Sequence, residues 1–146
     1  MNTARYQLYF EDVEEGQELP PLSMDMTVTK LMMAASATRD WQPMHHDRDY
    51  ARNKSKAKDI FINTGFNMGM MCRAITDWAG PKSFITRLNF KMEKSIYAGD
   101  TMTITGKVTG KRVADGNKLV DIDLLVSSQT EPTTRASATV MLPSRS

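Results

Sequence analysis

The chain has 146 residues, 40% hydrophobic and 25% charged, which suits one domain, 1–146, with a proper core. A net charge of +2 is too mild for a nucleic-acid binder, and no apolar run approaches the roughly 20 residues that span a bilayer. One cysteine, Cys72, can build neither an internal disulfide nor a zinc cluster, and the opening MNTARYQLYFEDVEEG turns acidic where a secretory signal needs an apolar stretch, so a cytoplasmic location is expected.

In chain order, LSMDMTV is a strand with Leu22, Met24, Met26 and Val28 on one face. TKLMMAASA is a short helix with Thr29 as its N-cap. A proline-bearing loop and the polar stretch ARNKSKAKD follow. NTGFNMGMMCRAITDWAG is a longer helix, apolar on most sides, with Asn63 or Thr64 capping its start and Gly80-Pro81 stopping it. Phe66, Met70, Ala74 and Ile75 fall at helical spacing, and the small residues Gly65, Gly69 and Cys72 would let this helix lie close to a sheet. Trp78 anchors its end, and Asp77 and Cys72 read as structural.

Four alternating segments complete the chain. FITRLNFKM sets Phe84, Leu88, Phe90 and Met92 against Ile85, Arg87, Asn89 and Lys91. TMTITGKVT aligns Met102, Ile104 and Val108, LVDIDLLV aligns Val120, Ile122, Leu124 and Val126, and RASATVML aligns Ala136, Ala138, Val140 and Leu142. Turn signals lie between them: YAGD, where Asp100 belongs to the turn, then ADGN and QTEP. This half reads as an antiparallel meander. One buried helix with such a sheet implies an α+β hotdog arrangement, a sheet wrapped around a central helix, which commonly dimerises through sheet edges. The twelve methionines suit its core.

The only histidines, His45 and His46, are adjacent in RDWQPMHHDRDYA. A metal site, a proton-transfer site and an ordinary polar loop are each compatible with that pair. Zinc needs about four ligands, and the nearby donors are only aspartates, so no metal is expected. Pro43 breaks any helix and bends the loop, so that Asp40 and His45 can converge on one point. A carboxylate beside an imidazole is the minimum kit for general acid–base work.

That stretch resembles the hydratase motif of MaoC-like (R)-specific enoyl-CoA hydratases, Gly-Asp-x-Asn-Pro-Leu-His-x-Asp-x-x-x-Ala. Asp40, Pro43, His45, Asp47 and Ala51 match, while Met44 stands for leucine, Gln42 for asparagine and Arg39 for glycine. YFEDVEEGQELP, TVTKLMMAASATRD and SIYAGDTMTITGKV resemble further segments of the family, in the family's order. TRDWQPMHHDRD, DIFINTG and ITDWAGP resemble one branch, the small MaoC-like subunits of actinobacterial steroid side-chain enoyl-CoA hydratases, which work beside a second MaoC-like chain.

The resemblance implies that Asp40 and His45 hold the catalytic water, with His46 at a variable position facing away. It implies that the Gly65 N–H, at a helix N-terminus, polarises the substrate's thioester carbonyl, with Asn63 as a second donor to that region. A histidine of the family's pattern is Thr64 here. Arg52, Lys54, Lys56 and Lys58 offer a landing patch for coenzyme A phosphates, or else a solvated loop. The expected substrate is a trans-2-enoyl-CoA with a bulky acyl chain. No cofactor is implied beyond the coenzyme A of the thioester, and the assembly is a homodimer or a heteromer with a second MaoC-like chain. Two rivals remain. A hotdog thioesterase wants a carboxylate on the central helix, where only Asp77 lies, near the end. A non-catalytic acyl-CoA-binding subunit has no need of both Asp40 and His45.

Overall fold

A computed structural model describes residues 6–145; the first residues of the acidic opening segment lie outside that range. The elements run β1 (Glu18–Asp25), α1 (Val28–Thr38), a 3-10 turn at Pro43–His45, α2 (Arg48–Asn53), α3 (Thr64–Ala79), β2 (Phe84–Met92), β3 (Thr101–Ala114), β4 (Asn117–Ser127) and β5 (Pro132–Met141). All five strands form one antiparallel sheet in the order β1-β3-β4-β5-β2.

The inward faces of β3, β4 and β5 are as the alternation leads one to expect. Met102, Ile104, Val108, Val120, Ile122, Leu124, Val126, Ala138, Val140 and Leu142 are buried and join one core with Met70, Met71, Ala74, Ile75 and Trp78 of α3. The sheet therefore closes over the central helix, and burial of these apolar faces is what holds the layers together.

Several expectations change in detail. The cap of α1 is Thr27, whose side chain accepts from the Lys30 N–H, so the helix starts earlier than a Thr29 cap implies. In β2 the register slips between Ile85 and Arg87, leaving Thr86 as an extra residue. That bulge turns Ile85 to the core with Leu88 and Phe90, leaves Met92 half-buried, and puts Phe84 on the solvent side. The meander holds only for β3–β5, because β2 pairs with β5 at the far edge. Gly69 faces open space rather than the sheet, and Gly65 lies against α1, where an added Cβ would sit 3.3 Å from Thr38 Cγ2. The stretch ARNKSKAKD is not all loop, since its first residues complete α2, capped by Asp47.

At the end of α3, Gly80 has φ +89°, and a side chain there would strike the Tyr6 carbonyl at 2.6 Å. Glycine is required for the N-terminal segment to cross at this point, where Leu8 N–H donates to the Ala79 carbonyl.

Candidate active site

Three short segments meet at the N-terminal end of α3. The first is the C-terminus of α1. Arg39 is left-handed, with φ 55° and ψ 27°; its N–H donates to the Ser36 carbonyl, and Asp40 N–H donates to that of Ala35. This pair of bonds is a Schellman closure, and it fixes Asp40 just past the helix end. The second is the 3-10 turn begun by Pro43, which carries His45. The third is the chain from Asp59 to Asn63 that leads into α3.

His45 and Asp40 converge as the proline-bent loop suggested: Nε2 lies 3.5 Å from Asp40 Oδ2, with the His45 side chain 10% and the Asp40 side chain 33% exposed. The other ring nitrogen, Nδ1, is 2.9 Å from the Phe61 carbonyl. A carbonyl oxygen can only accept, so Nδ1 carries the hydrogen and the neutral ring presents a bare lone pair at Nε2. Nε2 and an ionised Asp40 are then two acceptors side by side, an arrangement that suits a molecule donating a hydrogen to each. His46 points the other way, its Nε2 at 3.2 Å from the Trp41 carbonyl.

The helix end is tied to the same place. Asn63 caps α3, its Oδ1 accepting from the Phe66 N–H at 2.7 Å, and its Nδ2 donates to Thr38 Oγ1 at 2.6 Å. The Asn63 side chain thus serves as a cap and as a clamp between α1 and α3, with one hydrogen of Nδ2 committed to Thr38. The Gly65 N–H, in the first turn, has no hydrogen-bond partner among the described residues.

Of the expected phosphate patch, Arg52 is held by Asp59, with Nη2 at 3.2 Å from Oδ2. Lys54, Lys56 and Lys58 are exposed, and Lys58 stands 5.8 Å from the centre of the Tyr97 ring. Asp59 itself is buried and accepts from Arg48 Nε and Nη2, both at 3.0 Å, and from the Ile60 N–H at 2.8 Å. Burial alone would raise its pKa, but the Ile60 N–H and the guanidiniums of Arg48 and Arg52 outweigh it and hold the carboxyl below its ordinary value. Asp59, Phe61 and α2 were not legible as parts of the site, although Arg48 and Arg52, four apart behind the Asp47 cap, carry a helical signal.

Elsewhere, Asp100 serves its turn by accepting from the Tyr97 N–H at 2.8 Å, and Asp77 pairs with Arg73 on the surface. Burial pushes the Cys72 thiol above its usual pKa, which suits packing rather than nucleophilic work. Among the described residues no three His, Cys, Asp or Glu side chains gather as a metal site, and no helix is long and apolar enough to cross a membrane. An open cleft of about 900 Å³ lies over the sheet, lined by residues such as Pro21, Lys107, Leu125 and Arg135, and includes none of Asp40, His45 or Gly65.

A sheet curled over one long helix, with a polar pair at that helix's N-terminal end, defines a hotdog-fold protein, and solved structures agree. R-hydratase PhaJ1 from Pseudomonas aeruginosa superposes with a TM-score of 0.83 at 18% identity, over 95% of this chain and 88% of that one. The family model for the MaoC-like domain matches residues 12–130. The beta subunit of 3-oxo-4,17-pregnadiene-20-carboxyl-CoA hydratase from Mycobacterium tuberculosis is 42% identical over 101 residues, 69% of this chain and 76% of that protein. The crystal structure of the ChsH1-ChsH2 complex from the same organism matches with a TM-score of 0.81 at 33% identity, covering 89% of this chain and 98% of that one. The chain belongs to the MaoC-like dehydratase family.

Proposed function

We propose that this chain is a single-domain subunit of a cytoplasmic enoyl-CoA hydratase, a hydro-lyase adding water across the double bond of a trans-2-enoyl-CoA, and that Asp40 and His45 hold the water. The observation that carries this is the 3.5 Å approach of His45 Nε2 to Asp40 Oδ2 while Nδ1 is committed to the Phe61 carbonyl. A water donating one hydrogen to each acceptor has its oxygen lone pairs free to attack the β-carbon. As the C–O bond forms, the pair accepts one proton from the water, and a proton is delivered to the α-carbon. The two groups share that proton, so the pair is the acid–base unit rather than either member alone. Negative charge builds meanwhile on the thioester oxygen, and the unpartnered Gly65 N–H at the positive end of α3 suits it, a contribution of roughly 3 kcal/mol by comparison with other oxyanion donors.

The similarity to a steroid-acyl-CoA hydratase subunit supports a bulky acyl chain, and the similarity to the ChsH1-ChsH2 complex supports a heteromer with a second MaoC-like chain. The exposed Met32, Met33, Trp41, Met68 and Phe84 suit a protein that covers part of its surface with another chain. The coenzyme A phosphates fall to Lys54, Lys56 and Lys58, with Arg52 contributing only what its bond to Asp59 leaves over.

The test assays the chain alone, and then with its second chain, against short, medium and steroid enoyl-CoA, following loss of the enoyl-thioester absorbance. Asp40→Asn and His45→Ala each lower the rate by at least about 100-fold, as loss of a positioned acid–base group does, with unchanged thermal midpoints. Wild-type turnover in both variants would end this assignment.

A further inference from the structure

His45 Nδ1 lies against the Phe61 carbonyl, and two residues before Phe61 in the chain stands one buried carboxylate, Asp59. Asp59 is only 8% exposed and accepts four hydrogen bonds: from Arg48 Nε and Nη2, from Arg52 Nη2 and from the Ile60 N–H. Four donors use all the lone pairs of a carboxylate. Both arginines stand on α2, which follows directly from the 3-10 turn bearing His45. Asp59 thus joins the element leading away from His45 to the segment that accepts from the His45 ring. The opposite edge of that segment is fixed independently: Ala98 N–H donates to the Ile60 carbonyl, Ile62 N–H donates to that of Ile96, and Phe61 bridges to Tyr97. The Phe61 ring also meets the His45 ring edge-on, with centroids 5.1 Å apart.

We propose that Asp59 is a positioning residue for the Asp40–His45 pair: by drawing Arg48 and Arg52 onto the segment 59–62, it holds the Phe61 carbonyl where it keeps His45 in the Nδ1–H form with Nε2 aimed at Asp40. This rests on the hydratase assignment above. The carboxylate is buried while both guanidiniums are about half exposed, and ion pairs with an exposed member add little to stability. The cluster does fix geometry, since the paired guanidinium and carboxylate planes leave little freedom. Outer-shell partners that orient a metal-bound histidine govern activity about 10- to 100-fold, and in this proposal Asp59 stands to His45 in the same relation.

The test uses the assembled enzyme labelled with ¹⁵N-histidine. The chain has only two histidines, so a His46→Gln sample assigns the spectrum. Wild-type His45 shows a protonated Nδ1 and a bare Nε2. In Asp59→Asn the ring samples both tautomers and kcat falls by about tenfold, while KM stays within about twofold. If Asp59→Asn does not fold, Arg48→Gln carries the same measurements, because its side chain is 48% exposed and its loss leaves less buried. An unchanged His45 tautomer overturns the proposal, whether kcat falls or not, since a merely structural role moves stability alone. Failure of the hydratase assignment is distinguishable: wild-type enzyme or the Asp40→Asn variant would then give the wrong turnover, while the ring spectrum would still decide the role of Asp59.

Discussion

Arg39 occupies a position built for glycine. It is the left-handed residue of the closure that ends α1, with φ 55°, and a side chain there meets the following carbonyl. Arg39→Gly is expected to raise the unfolding free energy by about 1 kcal/mol in urea titrations. Turnover should hold, because Asp40 remains pinned by its N–H bond to Ala35. Asp59 makes the opposite kind of contribution, through charge. Its folded pKa lies below the unfolded value of about 3.9, so its stabilisation is complete above that value and is lost as pH falls through the folded one. The thermal midpoint should drop in acid below about pH 4, and Asp59→Asn should remove part of that drop while lowering the midpoint at neutral pH. The contrast explains what was legible at this scale. Asp40 and His45 announce themselves because the proline, the carboxylate and the imidazole are neighbours in the chain. The Phe61 carbonyl has no signature, being backbone, and a carboxylate such as Asp59 does not advertise which arginines will reach it.

Among the elements, α3 carries the most. Its Asn63 cap both satisfies the Phe66 N–H and holds Thr38 of α1, so one side chain sets the helix start and the approach of Asp40. Asn63→Ala should cost about 1 kcal/mol from the cap alone, measured by thermal or urea unfolding. It should also reduce kcat, since α1 loses its tether; a variant that lost stability but kept full turnover would reduce Asn63 to a cap. The long helix and the strands were legible because apolar periodicity persists over many residues. The parts that were not legible are those set by one or two residues. Thr27 and Thr29 both qualify as caps by chemistry, and only the geometry at Lys30 selects Thr27. The six residues of α2 are mostly polar and too few for a periodic signal, so they read as loop. In β2 a single extra residue, Thr86, inverts the face of Phe84 and Ile85, and alternation counted from either end cannot reveal it.

At the scale of the whole molecule, alternation tells which face a strand buries but not which strand lies beside it, so the place of β2 beyond β5 was not legible. That placement has a consequence for assembly. The sheet has two edges, β1 and β2. The β1 edge is blunted by Pro20 and Pro21, which lack N–H donors, and by a register shift between Leu19 and Leu22. Among the described residues the β2 edge has neither proline nor a partner strand, and the bulge at its start leaves Phe84 63% exposed. A long bare edge beside an exposed aromatic is a feature proteins usually cover. We therefore expect the second chain proposed above to dock along β2 with Phe84 in the contact. Because Phe84 already faces solvent, Phe84→Glu should change the stability of the isolated chain by no more than about 0.5 kcal/mol. In the complex it would bury a charge at an aromatic anchor, weakening association by about 2 kcal/mol or more, some 30-fold, read by titration calorimetry and by size-exclusion chromatography with light scattering. Hydration should then fall with dilution and recover when the second chain is added in excess, which a defect in the Asp40–His45 pair itself would not do. Wild-type affinity in Phe84→Glu would instead direct the contact to the exposed Met32 and Met33 of α1 and leave the β2 edge to solvent.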